Sequence, residues 1–302
     1  MDVNEELIKW FIQVQKRKRY SPGTCKQYTY DLLLFLKFLD NKPANEVSKR
    51  DIDSFLDHLL SDREYAAASI HRKICSLRSF YKFLQKNKDE IQKDFDIIVK
   101  DDPTANIESP KVPKSMPKYL KQNEMLQFLD SIKNTRDRAI VELLYATGMR
   151  VSELCNVMIE DINWEDNLIK VQKGKGSKQR YVVFSKRAHV FLKDYLRDNR
   201  PTIAEKGEKA LFVNRFGKRL HPITVQRIVA KYRKNGGYKD NLTPHCLRHT
   251  FATHSIQGGM DIRYIQELLG HNSLSTTQIY THVDTRHLRK VYNQVFSQEG
   301  EE

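Results

Sequence analysis

Near the C-terminal end of the chain, Thr243-Pro244-His245-Cys246-Leu247-Arg248-His249-Thr250 is followed by Leu268-Leu269-Gly270-His271 and then by Tyr280. Upstream, the run from Ala146 to Leu154 reads Ala-Thr-Gly-Met-Arg-Val-Ser-Glu-Leu and contributes Arg150. Two guanidiniums, two imidazoles and a phenol on successive short helices match no metal-ligand set and no Ser/His/Asp order. They suit a phosphodiester. Arginines donate bidentate bonds to the anion and keep their charge, histidines manage protons, and a tyrosine attacks phosphorus. Transesterification needs an in-line nucleophile, neutralisation of charge on the non-bridging oxygens and a proton for the leaving 5′-oxygen. It activates no water, so a metal is optional where arginines carry the charge.

Each residue also has a plainer reading. Arg150 has the place of a helix-capping arginine, and Glu153 that of an ordinary i,i+3 partner. His271 has the place of a helix C-terminal histidine favoured by the dipole. His245 and His249 have the spacing of a zinc pair, but Cys246 stands where His-Glu-x-x-His carries its glutamate. Arg248 would also set positive charge beside a cation, and no third ligand stands out. Lys173, Lys175 and Lys178 in Lys-Gly-Lys-Gly-Ser-Lys would serve equally as a phosphate-contacting turn.

Taken together, these boxes resemble the tyrosine recombinases, in particular the Xer-type and simple phage-integrase-like members. The resemblance covers most of residues 1–296. It implies Arg150 and Arg248 as the arginines that neutralise the phosphorane-like charge, and His245 and His271 as the imidazoles that position the phosphate and exchange protons. His249 becomes a supporting residue. Tyr280, in Ser-Thr-Thr-Gln-Ile-Tyr-Thr-His-Val, becomes the nucleophile that forms a 3′-phosphotyrosyl link. A phenol ionises near pH 10, and guanidiniums beside it favour the phenolate as it forms. The lysine of the family's β-hairpin protonates the leaving oxygen, and the Gly-Lys-Gly match points to Lys175, with Lys173 and Lys178 as the alternatives. The family needs no cofactor, ATP or resident metal.

Such a site needs a scaffold. From Glu5 to about Lys18, apolar residues fall at Leu7, Ile8, Phe11, Ile12 and Val14. Ser21-Pro22 is a cap followed by Pro at the first helical position, and Tyr28, Leu32, Phe35, Leu36 and Leu39 continue at spacings of three and four. Ser48 with Asp51 approximates a capping box ahead of Ile52, Phe55, Leu56, Leu59 and Leu60. Ala66 to about Lys86 carries Ile70, Ile74, Leu77, Phe80, Tyr81 and Leu84, with Arg72, Lys73, Arg78, Lys82 and Lys86 mostly off that stripe, either phosphate-facing or simply solvated. Four prolines between residues 101 and 117 mark an extended stretch.

Further helices are predicted over residues 122–132, 136–147, 151–157, 224–234, 247–257, 262–269, 276–280 and about 286–296. Strands are predicted over 168–172 and 180–184, joined by the glycine-rich turn, with a short third strand or turn over 211–220. The expected fold is mainly α in two domains. An N-terminal four-helix bundle, SAM-like and core-binding by the resemblance, spans 1–108, and a linker spans 109–117. An α+β catalytic domain with a small antiparallel sheet spans 118–302.

Charge points the same way. Residues 1–110 carry 19 basic against 18 acidic side chains, or +1, and residues 111–302 carry 33 against 20, or +13, of the total +14. A polyanionic partner for the second part follows, although a lysine-rich solubilising surface would have the same balance. No run approaches the ~18 apolar residues of a membrane span, and no signal-peptide core follows the acidic N-terminus, so a cytosolic protein is expected. Cys25, Cys75, Cys155 and Cys246 stand apart as free thiols.

The partner implied by the resemblance is double-stranded DNA, with the two domains on opposite faces of the duplex. A homo-tetramer, or a hetero-tetramer with a related recombinase, would assemble on two sites. Leu288, Val291, Tyr292 and Val295 give the last helix an apolar stripe, which would pack on its own domain or dock on a neighbouring protomer. Chromosome or plasmid dimer resolution is the expected role. Integration or excision of a mobile element, a type IB topoisomerase and a non-catalytic DNA-binding regulator are the alternatives.

Overall fold

The computed structural model describes residues 2–61, 65–110, 119–172, 179–238, 242–270 and 285–296, with the side chains of 285–288 and 294 outside that description. The chain divides into two compact units, Met1–Ser115 and Met116–Glu302.

The first unit contains α1 (Val3–Arg17), α2 (Pro22–Phe38), α3 (Lys49–Ser61), α4 (Ala67–Lys86) and α5 (Lys88–Phe95). The starts of the first three helices have local causes. Asp2 accepts the Asn4 amide at 3.0 Å and Ser21 accepts that of Thr24 at 3.0 Å. Ser48 and Asp51 exchange bonds of 2.7 and 3.3 Å. Each such cap satisfies an amide that the helix itself leaves orphaned. Leu7, Phe11, Leu32, Phe35, Ile52, Phe55, Ile74, Leu77 and Phe80 meet in one core.

Two expectations change here. A fifth helix, α5, follows the four; only Ile91 of its residues is buried, so its charged sequence gave no stripe to read. Lys73 is not available to phosphate. It is 1% exposed, bonds Asp31 at 3.1 Å and lies over the rings of Tyr65 and Tyr30. Arg72 also bonds Asp31, and Arg78 bonds the Ile107 carbonyl. The Asp31 carboxylate, buried on α2, and the cost of leaving it unpaired draw Lys73 and Arg72 toward it. Lys82 and Lys86 remain exposed.

The second unit is built round α7 (Thr135–Thr147), of which every residue from Asp137 to Thr147 is buried. Packed about it are α6 (Gln122–Ser131), α8 (Val151–Asn156), a three-stranded sheet, α9 (Lys186–Asp194), α10 (Pro222–Asn235), α11 (Pro244–Gln257), α12 (Ile262–Leu269) and α13 (Thr285–Phe296). The sheet is antiparallel in the order β1 (Ile162–Asn163), β2 (Leu168–Val171), β3 (Arg180–Val183). Its register pairs Ile162 with Ile169, Leu168 with Val183 and Val171 with Arg180.

The third strand of the sheet is Ile162–Asn163; the 211–220 segment takes the turn alternative, closed by the bridge of Val213 to Arg219, and Ala210 just before it bridges Met158. Helix α9 had no sequence expectation. Ser185 caps it, accepting the Ala188 amide at 3.2 Å, and it buries only Ala188 and Leu192. Among the described residues no helix is long and apolar enough to cross a membrane. All four cysteines are free thiols.

Val291, Tyr292 and Val295 of α13 pack on the core of their own unit. Tyr292 is fully buried and donates to the Ala146 carbonyl at 2.7 Å. Phe296 stacks on Phe251 with ring centres 5.6 Å apart. Arg289 pairs with Asp166 at 2.6 Å. Of the two alternatives for this helix, these contacts are the packing on its own domain. Burying two large aromatics is worth about 1.5–3 kcal/mol each, which outweighs leaving the face open for a neighbour.

Candidate active site

Arg150 is presented by a tight turn. Helix α7 ends at Gly148, whose φ of 58° is left-handed, and a Cβ there would lie 2.3 Å from the Phe251 ring. Only glycine combines that backbone with that close approach. Met149 is then buried and Arg150 stands at the N-cap of α8. Glu153 accepts the Arg150 amide at 2.8 Å and its guanidinium Nη1 at 3.1 Å. The i,i+3 pairing read from sequence is present and aims the arginine.

Helix α11 carries His245 and Arg248. Thr243 caps it, accepting the Cys246 amide at 3.2 Å, and Pro244 occupies N1. Arg248 is 6% exposed. Its Nη1 donates to the Gly148 carbonyl and its Nη2 to the Leu269 carbonyl, each at 2.7 Å. Arg150 reaches the same Leu269 oxygen in a long contact of 3.5 Å. Burial and the nearby Arg150 charge bring the Arg248 guanidinium down to about 10, against the help of Glu153; it stays charged at neutral pH.

His245 is exposed and sits beside His249, ring centres 4.6 Å apart. Partial burial first, then His249, Arg248 and Arg150, lower its pKa, so the imidazole is neutral near pH 7 and able to accept a proton. Among the described residues no group of three or more His, Cys, Asp or Glu is placed to hold a metal.

Leu269 ends α12, and Gly270 closes it at a φ of 65°. The structure therefore brings Arg150 and Arg248 to the Leu269 carbonyl, two residues before His271, with His245 close enough to feel the charge of both arginines. His271, Tyr280 and Lys175 lie outside the described residues, as does the helix expected over 276–280.

One residue went unnoticed in the sequence. Arg180 opens β3, is 8% exposed and forms a two-pronged pair with Glu153 at 3.0 and 2.8 Å. Its Nε donates to the Leu268 carbonyl at 2.7 Å. Burial alone would raise the Glu153 carboxyl, but the Arg180 bond, the Arg150 amide and the two guanidinium charges outweigh it and hold it at about 2. The signal was in the strand's alternation: Tyr181 points out, 45% exposed, while Arg180 shares the inner face with Val182. An inward arginine requires a carboxylate.

Residues 118–287 match the phage integrase family, a span that holds all six site candidates and more than half of the chain. The chain belongs to the phage integrase family of tyrosine recombinases. Residues 7–88 match the N-terminal SAM-like domain of phage integrases, the helical bundle of this recombinase. The tyrosine recombinase XerC of Anoxybacillus flavithermus is 39% identical, over 96% of this chain and 97% of that protein. XerD of Staphylococcus saprophyticus is 38% identical, over 96% and 97%. Among solved structures, the XerH site-specific recombinase bound to difH in a pre-cleavage complex is 25% identical, with a TM-score of 0.65 over 96% of this chain and 83% of that one. The tyrosine recombinase described here is thus aligned end to end with Xer proteins, in both units.

Proposed function

We propose that this protein is a Xer-type site-specific recombinase that cuts and rejoins double-stranded DNA through Tyr280. The observation that carries the reading is the convergence of Arg150 and Arg248 on one carbonyl oxygen, that of Leu269, with His245 alongside. Two guanidiniums aimed at one acceptor form a cradle for the non-bridging oxygens of a phosphodiester.

The chemistry balances without a further reactant. The Tyr280 oxygen attacks phosphorus and its proton passes to an imidazole, His245 or His271. The bond to the 5′-oxygen breaks, and that oxygen takes a proton from the Lys175 ammonium. A 3′-phosphotyrosyl bond replaces the phosphodiester, and a 5′-hydroxyl from the partner duplex reverses the step. Residues 1–108 serve as the core-binding domain, 109–117 as the linker and 118–302 as the catalytic domain. Four protomers, of one chain or of two related chains, assemble on two sites in the cytoplasm. The assembly resolves chromosome or plasmid dimers, with mobile-element integration or excision as the alternative.

A duplex nicked beside the scissile phosphate traps the covalent intermediate, because the short leaving strand diffuses away. The wild type gives a DNA-linked band on denaturing gels and Tyr280→Phe gives none while still shifting DNA on native gels. A persisting adduct in Tyr280→Phe would move the nucleophile to another tyrosine. Relaxation of supercoils without joined products would indicate a topoisomerase.

A further inference from the structure

We infer that Arg180 is a positioning residue for the phosphate-binding arginine pair, a role that rests on the recombinase reading above. Arg180 is too deeply buried to touch DNA, and its donors go to a carboxylate that also holds Arg150 and to the carbonyl next to the one that holds Arg150 and Arg248. Its Nη1 and Nη2 bond the two oxygens of Glu153, and Glu153 Oε1 also receives Arg150 Nη1. Its Nε bonds the carbonyl of Leu268, one residue before the carbonyl on which Arg150 and Arg248 meet. The last carbonyls of a helix have no partner within it, so the end of α12 is fixed by these three arginines.

Gly270 completes the clamp. A Cβ at that position would stand 3.1 Å from the Arg180 guanidinium carbon, so the chain runs flat against Arg180 as it leaves α12 toward His271.

Packing alone does not account for an arginine here. A buried ion pair replaced by apolar side chains of similar volume is often neutral or stabilising, and the inner face of β3 is otherwise lined by valine. What the guanidinium supplies is a planar fork that fixes two acceptors at once. Its loss would leave Glu153 held from one side and the Leu268–Leu269 carbonyls free to tilt. Arg180 also opens the strand that follows the glycine-rich turn, so hairpin, α8 and α12 are joined through one side chain.

The test uses the full chain and a nicked duplex carrying the site footprinted by the wild type on chromosomal DNA, made with either a phosphate or a neutral methylphosphonate at the scissile position. Arg180→Met is expected to slow covalent-adduct formation in single turnover by about 100-fold, the scale of a small misplacement of a reacting group, with DNA affinity close to wild type. On the methylphosphonate one oxygen charge is gone, so the deficit relative to wild type should shrink at least about tenfold. Arg180→Lys keeps the buried charge but not the fork and should fall between the two; it is the variant read if Arg180→Met melts early.

Equal deficits on both substrates, or none on the phosphate, overturn the positioning role. A loss confined to DNA affinity does so as well. A wild type that forms no adduct on the phosphate overturns the recombinase reading together with this one, whereas a competent wild type with an indifferent Arg180 overturns only the latter.

Discussion

Arg150 and Arg248 donate to the same oxygen, the carbonyl of Leu269, from two helices far apart in sequence. The contacts are unequal. Arg248 is buried and held at 2.7 Å, while Arg150, its side chain 45% exposed, reaches only to 3.5 Å. On the proposed reading, the buried arginine is the fixed wall of a phosphate cradle and the exposed one the wall that adjusts. Preorganised charge of this kind costs little rearrangement when a phosphate arrives.

Lys175→Ala is expected to slow cleavage of ordinary DNA strongly, by about 100-fold or more, as loss of a general acid does. A substrate with sulfur at the 5′-bridging position should recover most of that rate, since a thiolate leaves without a proton. Single-turnover rates on the two substrates decide it. Equal defects would make Lys175 a binding residue, and sulfur rescue of Lys178→Ala or Lys173→Ala instead would transfer the role.

Glu153→Gln should weaken the fold in a pH-dependent way. The carboxyl is held at about 2 in the folded chain against an ordinary 4.5. A depressed carboxyl contributes stability that is complete above the ordinary value and is lost as pH falls toward the folded one. At pH 7 the variant is expected to be about 3 kcal/mol less stable, since Arg180 is left buried and unpaired. Urea unfolding as a function of pH should show the gap to wild type narrowing below 4.5. A gap that stays constant down to pH 3 would mean the carboxylate charge is not what matters.

Gly148→Ala is expected to cost at least about 2 kcal/mol, from a left-handed backbone and a Cβ pressed to 2.3 Å from Phe251. Because Arg150 follows two residues later, adduct formation should fall as well. Chemical denaturation measures the first effect and single-turnover cleavage the second. An unchanged midpoint would mean the turn relaxes without strain.

Removing residues 286–302 should destabilise the catalytic unit itself. Tyr292 and Phe296 close part of its core, and the Ala146 carbonyl loses the bond from Tyr292. Tyr292→Phe isolates that bond, worth about 1 kcal/mol. Melting curves test both. A truncated protein that melts like wild type, yet fails to bring two DNA sites together on native gels, would restore the tail as a contact between protomers.

Much of the scaffold was legible because its signals are local. Ser21-Pro22 and Ser48 with Asp51 announce helix starts through bonds made within three residues, whereas the helix expected over 247–257 begins earlier, at Pro244 behind the Thr243 cap. The span 262–269 matched its helix because Ile265, Leu268 and Leu269 form a clean buried face. Helices α5 and α9 escaped because one or two buried residues make no visible stripe. Arg150, Arg248 and His245 were legible as motif members, but what makes them a site was not. The Leu269 carbonyl is backbone, without residue identity. Arg180 and Lys73 are basic side chains drawn inward by carboxylates distant in sequence, and charge composition cannot tell an inward lysine from an outward one.

Arg150 and Arg180 both pair with Glu153, and the same carboxylate is the counter-charge that Arg248 feels while its own bonds go to backbone carbonyls. The DNA-free fold therefore carries a surplus of positive charge in a place where two of the three arginine side chains are shielded from water. That surplus is a frustration built into the native state, which on the proposed reading an arriving phosphodiester relieves. At these four side chains, changes that calm the resting fold and changes that speed strand cleavage pull in opposite directions. Screening variants for thermal robustness alone would, at this spot, drift toward a quieter and slower recombinase.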